Sequence, residues 1–169
     1  MNILICGDIV GRSGREAIEK FLPDIISEYK VDFVIVNGEN SASGFGITKK
    51  ICENLYDLGV DVITSGNHIW DQKEILSYIE NDKRLLRPCN YPYQTPGRGF
   101  GIYKLKGGEI IAVINVMCRL FMDNIDDPFK SLDDIIEGIK VKHGNLPIII
   151  DIHGESTSEK MAIGHFFDG

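Results

Sequence analysis

Four short apolar runs in this chain each end in residue types that ligate metals, and that coupling limits the folds open to it. Ile3-Leu4-Ile5-Cys6 leads into Gly7-Asp8, and Phe33-Val34-Ile35-Val36 into Asn37-Gly38-Glu39-Asn40. Val62-Ile63-Thr64-Ser65 leads into Gly66-Asn67-His68, and Ile148-Ile149-Ile150 into Asp151-Ile152-His153. Short β-rich runs separated by helical stretches read as parallel strands. Parallel strands bring their carboxyl ends to one edge of a sheet, where open α/β folds bind ligands. Asp8, Glu39, Asn40, Asn67, His68 and His153 are therefore expected to converge. Carboxylates, amide oxygens and imidazoles together form a donor set for a divalent metal.

The rest of the pattern extends this α/β reading. Ser13 and Glu16 have the S-x-x-E spacing of a capping box at the start of a helix whose apolar stripe runs from Ala17 to Ile26. Pro23 lies inside the stripe and is expected to kink or divide that helix. Thr48 is placed to cap a second helix that Gly59 ends, and Asp71 and Glu74 suggest a third reaching about Glu80. Residues 87–101 hold three prolines and three glycines, the composition of a long irregular connection. Lys106-Gly107-Gly108 between two β-rich runs predicts an antiparallel hairpin over about 100–116. Pro128 suits the first turn of a helix to about Lys142, a strand follows over about 147–151, and Ser156 with Glu159 reads as a second capping box before a last helix.

Bulk composition narrows the function classes. The chain has 169 residues, 43% hydrophobic and 25% charged, which suits one globular domain over residues 1–169. A net charge of −7 argues against long nucleic acid as a stable partner, since that binding rests on neutralising phosphates with cations. A small phosphate substrate stays open, because a bound metal supplies positive charge locally. Cys6, Cys52, Cys89 and Cys118 are widely spread without a C-x-x-C pair, so reduced thiols in a cytoplasmic protein are expected. No secretory signal and no membrane span are expected either.

Each candidate also has a plainer reading. The glycines around Asp8 follow G-x-x-x-G-x-x-G, neither the dinucleotide fingerprint nor a P-loop, and Asp8 could simply cap a turn. Glu39-Asn40 could form a turn, and a lone Asn67-His68 is commonly structural. The metal reading rests on three such clusters at three successive strand ends. Asp151 lies two residues before His153 on the same strand face, where it could orient the imidazole or serve as a turn residue. His143 and His165 lack a comparable setting, and His143 suits a helix C-terminus.

Together these segments resemble the calcineurin-like metallophosphoesterases, and most closely the YmdB-type branch. The shared motifs are Gly7-Asp8-Ile9-Val10-Gly11, Asn37-Gly38-Glu39-Asn40, Gly66-Asn67-His68-Ile69-Trp70-Asp71, Arg87-Pro88-Cys89-Asn90-Tyr91-Pro92, Asp126-Asp127-Pro128-Phe129, and the run from Asp151 to Lys160. The resemblance implies an α/β sandwich of two mixed sheets between helices. It implies a phosphodiesterase acting on cyclic nucleotides, including 2′,3′-cyclic nucleotides, with two divalent ions, iron or manganese. By carry-over, Glu39 would bridge the ions, Asp8 and Asn40 would bind one, and Asn67 and His153 the other. His68 would be the catalytic imidazole. The partner would be a small phosphodiester, and the protein a homo-oligomer.

The departures matter as well. Gly154 and Ser156 stand where the family has alanines, and Met117-Cys118-Arg119-Leu120 where it tends to show Q-G-R-T. Members of the family continue into a further strand and a G-T-H-T-H segment whose histidines complete the metals. Residues 1–169 are therefore expected to form one metallophosphoesterase domain lacking those C-terminal strands. The competing expectation is a non-catalytic fragment with weak metal or nucleotide binding.

Overall fold

The structure, a computed structural model, describes residues 1–168. In chain order the elements are β1 (Ile3–Cys6), α1 (Gly11–Glu28), β2 (Phe33–Asn37), α2 (Lys49–Asp57), β3 (Val62–Thr64), a 3-10 turn (Asn67–Trp70) and α3 (Ile75–Ile79). The second half holds β4 (Phe100–Lys104), β5 (Ile110–Met117), α4 (Pro128–His143), β6 (Ile148–His153) and α5 (Thr157–Phe167). Two three-stranded sheets result, ordered β1-β2-β3 and β4-β5-β6. The first is parallel throughout. The second joins the antiparallel hairpin β4-β5 to a parallel β5-β6 pair.

The strand period of two sorts the apolar residues into layers. On β2, Val34 and Val36 face one way, into a core shared with Leu22 of α1, Cys52 and Leu55 of α2 and Ile75 and Ile79 of α3. Phe33 and Ile35 face the other way and meet Ile111 and Val113 of β5. The alternate residues of β5, Ala112, Ile114 and Val116, pack under α4 and α5 through Leu132, Ile139 and Ile163. The order of layers is helices, sheet, sheet, helices, an α/β sandwich in which both strands at the centre of the packing are buried on both faces.

Several local expectations are corrected. β6 lies in the second sheet, so the four apolar runs do not share one sheet edge; the sandwich brings the carboxyl ends of two sheets together instead. Pro23 leaves α1 as a single 18-residue helix. Pro23 and Glu19, whose carbonyl loses its partner, are both exposed while Leu22 is buried, so the missing bond lies on the solvent side of the helix, where its cost is lowest. Ser13 caps nothing: α1 begins at Gly11, whose φ of 56° turns the chain into the helix, and Glu16 pairs with Arg12 at 2.6 Å. Thr48 does cap α2, accepting from the Ile51 amide at 3.3 Å. The helix expected from Asp71 and Glu74 starts at the later of the two: α3 has Glu74 as its N-cap and Glu80 as its C-cap, while Asp71 ends the 3-10 turn and its carboxylate meets the His68 ring. Ser156 sits at the α5 N-cap without a side-chain cap, its hydroxyl meeting that of Ser158. The Glu159 carboxylate instead accepts from the Arg119 and Leu120 amides, both at 2.9 Å. A pair of amides left free by a distant loop outcompetes the local capping arrangement.

Candidate metal centre

The loop after β2 is fixed from several sides before it presents any side chain. The Asn37 side chain accepts from the Glu39 amide at 3.2 Å, and the Ser41 hydroxyl donates to the Gly38 carbonyl at 2.6 Å. The Gly11 amide donates to the Asn40 carbonyl at 2.8 Å, and the Arg15 guanidinium donates to the Ser41 carbonyl. Gly38 has no room for a side chain: a Cβ there would lie 2.9 Å from Ile47 Cδ1 and 3.0 Å from Ile63 Cγ2. The loop is thereby pulled down against β3.

Two donor groups follow from that placement. At the exposed one, Asn40 Nδ2 donates to Asp8 Oδ2 at 2.7 Å. At the buried one, Glu39 has no exposed surface. Its Oε1 accepts from the His68 amide at 2.7 Å, while Oε2 lies 3.1 Å from His153 Nδ1. That approach has the length but not the direction of a hydrogen bond, and Oε2 is left without a donor. The other nitrogen of the same ring, Nε2, is 3.1 Å from Asn67 Oδ1. Glu39 and Asn40 are consecutive, so the two groups adjoin, and Asp8 is near enough to act electrostatically on Glu39.

Burial pushes the Glu39 carboxyl above its usual range, with nearby His153 partly offsetting the shift. Gly66 makes the close approach possible. A Cβ at position 66 would collide with His153 Cδ2 and Nε2 and with Glu39 Oε1. His68 stands at the rim, its Nδ1 2.7 Å from Asp71 Oδ2 and its ring in T-shaped contact with Phe45, centroids 5.0 Å apart. Clefts of about 780 and 550 Å³ open elsewhere, beside β1 and along the 87–100 connection, and none of these donors lines either.

Asp8, Glu39, Asn40, Asn67, His68 and His153 are thus brought to one region. His143 lies apart at the α4 C-terminus and His165 on exposed α5. Asp151 is not hydrogen-bonded to His153; its carboxylate accepts from Asn37 Nδ2 at 3.3 Å and so ties β6 to the loop that carries Glu39. The motif Gly66-Asn67-His68-Ile69-Trp70-Asp71 contained Asp71, but only the 3-10 turn shows it reaching the His68 ring. Among the described residues no group of three or more His, Cys, Asp or Glu side chains is gathered for an ion; two of the five proposed ligands are asparagines. The fit of a cation nevertheless has a physical basis. Glu39 Oε2 is a buried carboxyl oxygen with no hydrogen-bond donor and only the His153 ring beside it, a setting in which ionisation is costly unless a cation is bound, and Asp8, Asn67 and His153 supply donors of the types such an ion accepts.

The YmdB-like protein family model matches residues 4–169. A 2′,3′-cyclic-nucleotide 2′-phosphodiesterase of Bacillus subtilis strain 168 is 44% identical over the whole chain, which covers 63% of that protein. A putative phosphatase/phosphodiesterase of Mycoplasma pneumoniae is 33% identical and is covered to 60%. Among solved structures, a hypothetical protein from Thermus thermophilus has a TM-score of 0.89 and 41% identity, aligning 99% of this chain with 64% of that one. A novel phosphatase from Mycoplasma pneumoniae has a TM-score of 0.88 and 34% identity, aligning 99% with 60%. The chain therefore spans less than two thirds of each relative's length.

Proposed function

The chain belongs to the YmdB-like protein family, and from that premise we propose that it carries the donor cluster of a metal-dependent phosphodiesterase acting on cyclic nucleotides such as 2′,3′-cyclic nucleotides. The observation that carries the metal part is the buried Glu39 oxygen without a donor. The substrate class is taken from the name of the Bacillus subtilis relative. Glu39 is assigned the bridging position, Asp8 and Asn40 one ion, Asn67 and His153 the other, with iron or manganese suiting this mixed oxygen and imidazole set. Residues 1–169 are read as part of one metallophosphoesterase domain, in a cytoplasmic homo-oligomer whose four cysteines are all free thiols.

When bound, the ions would supply Lewis-acid polarisation of the phosphoryl oxygens and an activated water. The remaining work belongs to the chain. Gly66 and the tied-down 37–41 loop hold Glu39 where it cannot swing into water. Asp71 occupies His68 Nδ1, which leaves Nε2 as the ring nitrogen available to a substrate. A protonated His68 would deliver its proton from Nε2 to the departing ribose oxygen, help worth about 10²–10⁴ in rate.

A second reading, weak metal binding without turnover, is favoured by the lack of any group of three His, Cys, Asp or Glu side chains among the described residues. One experiment separates the two. The chain is loaded with Mn(II) or Fe(II), its bound metal is counted, and hydrolysis of adenosine 2′,3′-cyclic phosphate is followed. Metal-dependent turnover supports the phosphodiesterase; uptake without turnover selects the second reading; no uptake by the folded chain sinks both.

A further inference from the structure

Phe45 is 59% exposed, yet its backbone is among the best-fastened in the loop that carries Glu39. The Ala42 amide donates to the Gly46 carbonyl at 2.8 Å and the Phe45 amide to the Ala42 carbonyl at 3.2 Å. Gln72 Nε2 donates to the Phe45 carbonyl at 2.9 Å. Gly46, at φ 74°, packs so closely that a Cβ would lie 3.0 Å from the His68 carbonyl oxygen. The turn also places Ser43 at φ 59°, a left-handed conformation that a non-glycine residue adopts at some cost. The outcome is a phenyl ring held out in water beside the His68 ring. In either sense of that T-shaped contact, one face of the phenyl ring is left free of His68. Tyr93 and Phe121 are more exposed, but among the aromatic contacts found only Phe45 touches a residue of the donor region.

Resting on the phosphodiesterase reading above, we propose that Phe45 is a stacking platform for the substrate's nucleobase, so that this site takes nucleotides in preference to phosphodiesters without an aromatic base. The phosphodiester lies at the donors and the base lies on the phenyl face, with His68 between them. Stacking on an aromatic side chain is tolerant of base identity because every base has a π-face. The platform therefore selects for an aromatic base without choosing among the bases.

The test compares affinities of the Mn(II)-loaded chain for adenosine 3′-monophosphate and for inorganic phosphate by titration calorimetry, in wild type, Phe45→Leu, Phe45→Ala and Phe45→Trp. Wild type should prefer the nucleotide. Phe45→Ala should weaken the nucleotide about five- to hundredfold with the phosphate affinity unmoved. Phe45→Leu, which keeps apolar bulk but no π-face, should lose most of the preference. Phe45→Trp should keep it, and its added indole fluorescence should be quenched by the nucleotide but not by phosphate. Equal weakening of both probes would make Phe45 a prop for His68 and overturn the proposal, as would a Phe45→Leu chain that binds like wild type or a wild type without preference. Metal-dependent hydrolysis that persists while the preference fails to appear sinks the platform alone. Absent hydrolysis with a preference lost on Phe45→Leu sinks the phosphodiesterase reading and keeps the platform.

Discussion

The inner and outer halves of the donor region are built on opposite economies. The outer half is exposed and internally satisfied: Asn40 meets Asp8, and His68 meets Asp71. Water can replace any of these partners at small cost. The inner half is buried and incompletely satisfied: Glu39 is fully enclosed, and its Oε2 has no hydrogen-bond donor and only the His153 ring beside it. Burial makes ionising that carboxyl costly, and ties from Asn37, Ser41 and Gly11 hold its loop in place. The difference assigns the halves different tasks. On the metal reading proposed above, a cation would relieve the inner half, and Asp8 and Asn40 of the outer half would meet it from the solvent side.

Four substitutions test that division. The largest effect belongs to the rim. His68→Ala should lower turnover of a cyclic nucleotide by about 10²–10⁴ while bound metal and melting temperature stay near wild type. A His68→Ala chain that sheds its metal would move His68 into the inner half and erase the contrast.

Glu39→Gln should do the reverse. Metal affinity should fall by more than the roughly 10–100-fold that loss of a supporting partner costs. The metal-free chain should gain about 1 kcal/mol at neutral pH. A glutamine oxygen can keep the His68 amide, and a neutral side chain removes the cost of placing a charge at the buried Oε2 position. The pH dependence carries the same sign. Burial raises the Glu39 pKa in the folded state, so the folded chain holds that proton more tightly than the unfolded one. This contribution to stability is present at acid pH and is lost as pH rises from the ordinary carboxylate range through the folded value. Urea titrations across that range should show the slope in wild type and lack it in Glu39→Gln. Loss of stability in Glu39→Gln at every pH would show that the buried carboxylate is not a strained group.

Gly66→Ala should destabilise the fold by about 1–3 kcal/mol, because the new methyl would meet His153 and Glu39 at once. An alanine variant with wild-type melting would mean that the inner half is looser than described. The smallest effect is expected of Asp71→Asn. It should cost about tenfold in turnover, the low end of what losing an orienting partner does, with metal content unchanged.

Legibility in the sequence followed the range of each interaction. Glu39 and Asn67 could be read as candidates because a strand followed by a glycine-containing turn is a local pattern. The pairing of Asp151 with Asn37 spans 114 residues, and no local pattern suggests it. Glu159 shows the same limit from the other direction: its spacing from Ser156 fits a capping box, but its carboxylate serves amides about 40 residues away. The Ser13 reading failed because a glycine hydrogen-bonded to a neighbouring loop set the helix start.

The chain's own pattern determined the strand–helix alternation, the hairpin at Lys106-Gly107-Gly108 and the residue types carried by each turn, since periodicity and turn chemistry act over a few residues. Tertiary structure alone decided that β6 would leave the first sheet, that His153 would reach Glu39 from the second sheet, and that one Glu39 oxygen would be sealed without a donor. Those outcomes depend on burying both faces of β2 and β5 against partners distant in sequence. Which polar groups lose water in that packing is a property of the assembled layers and of no single segment.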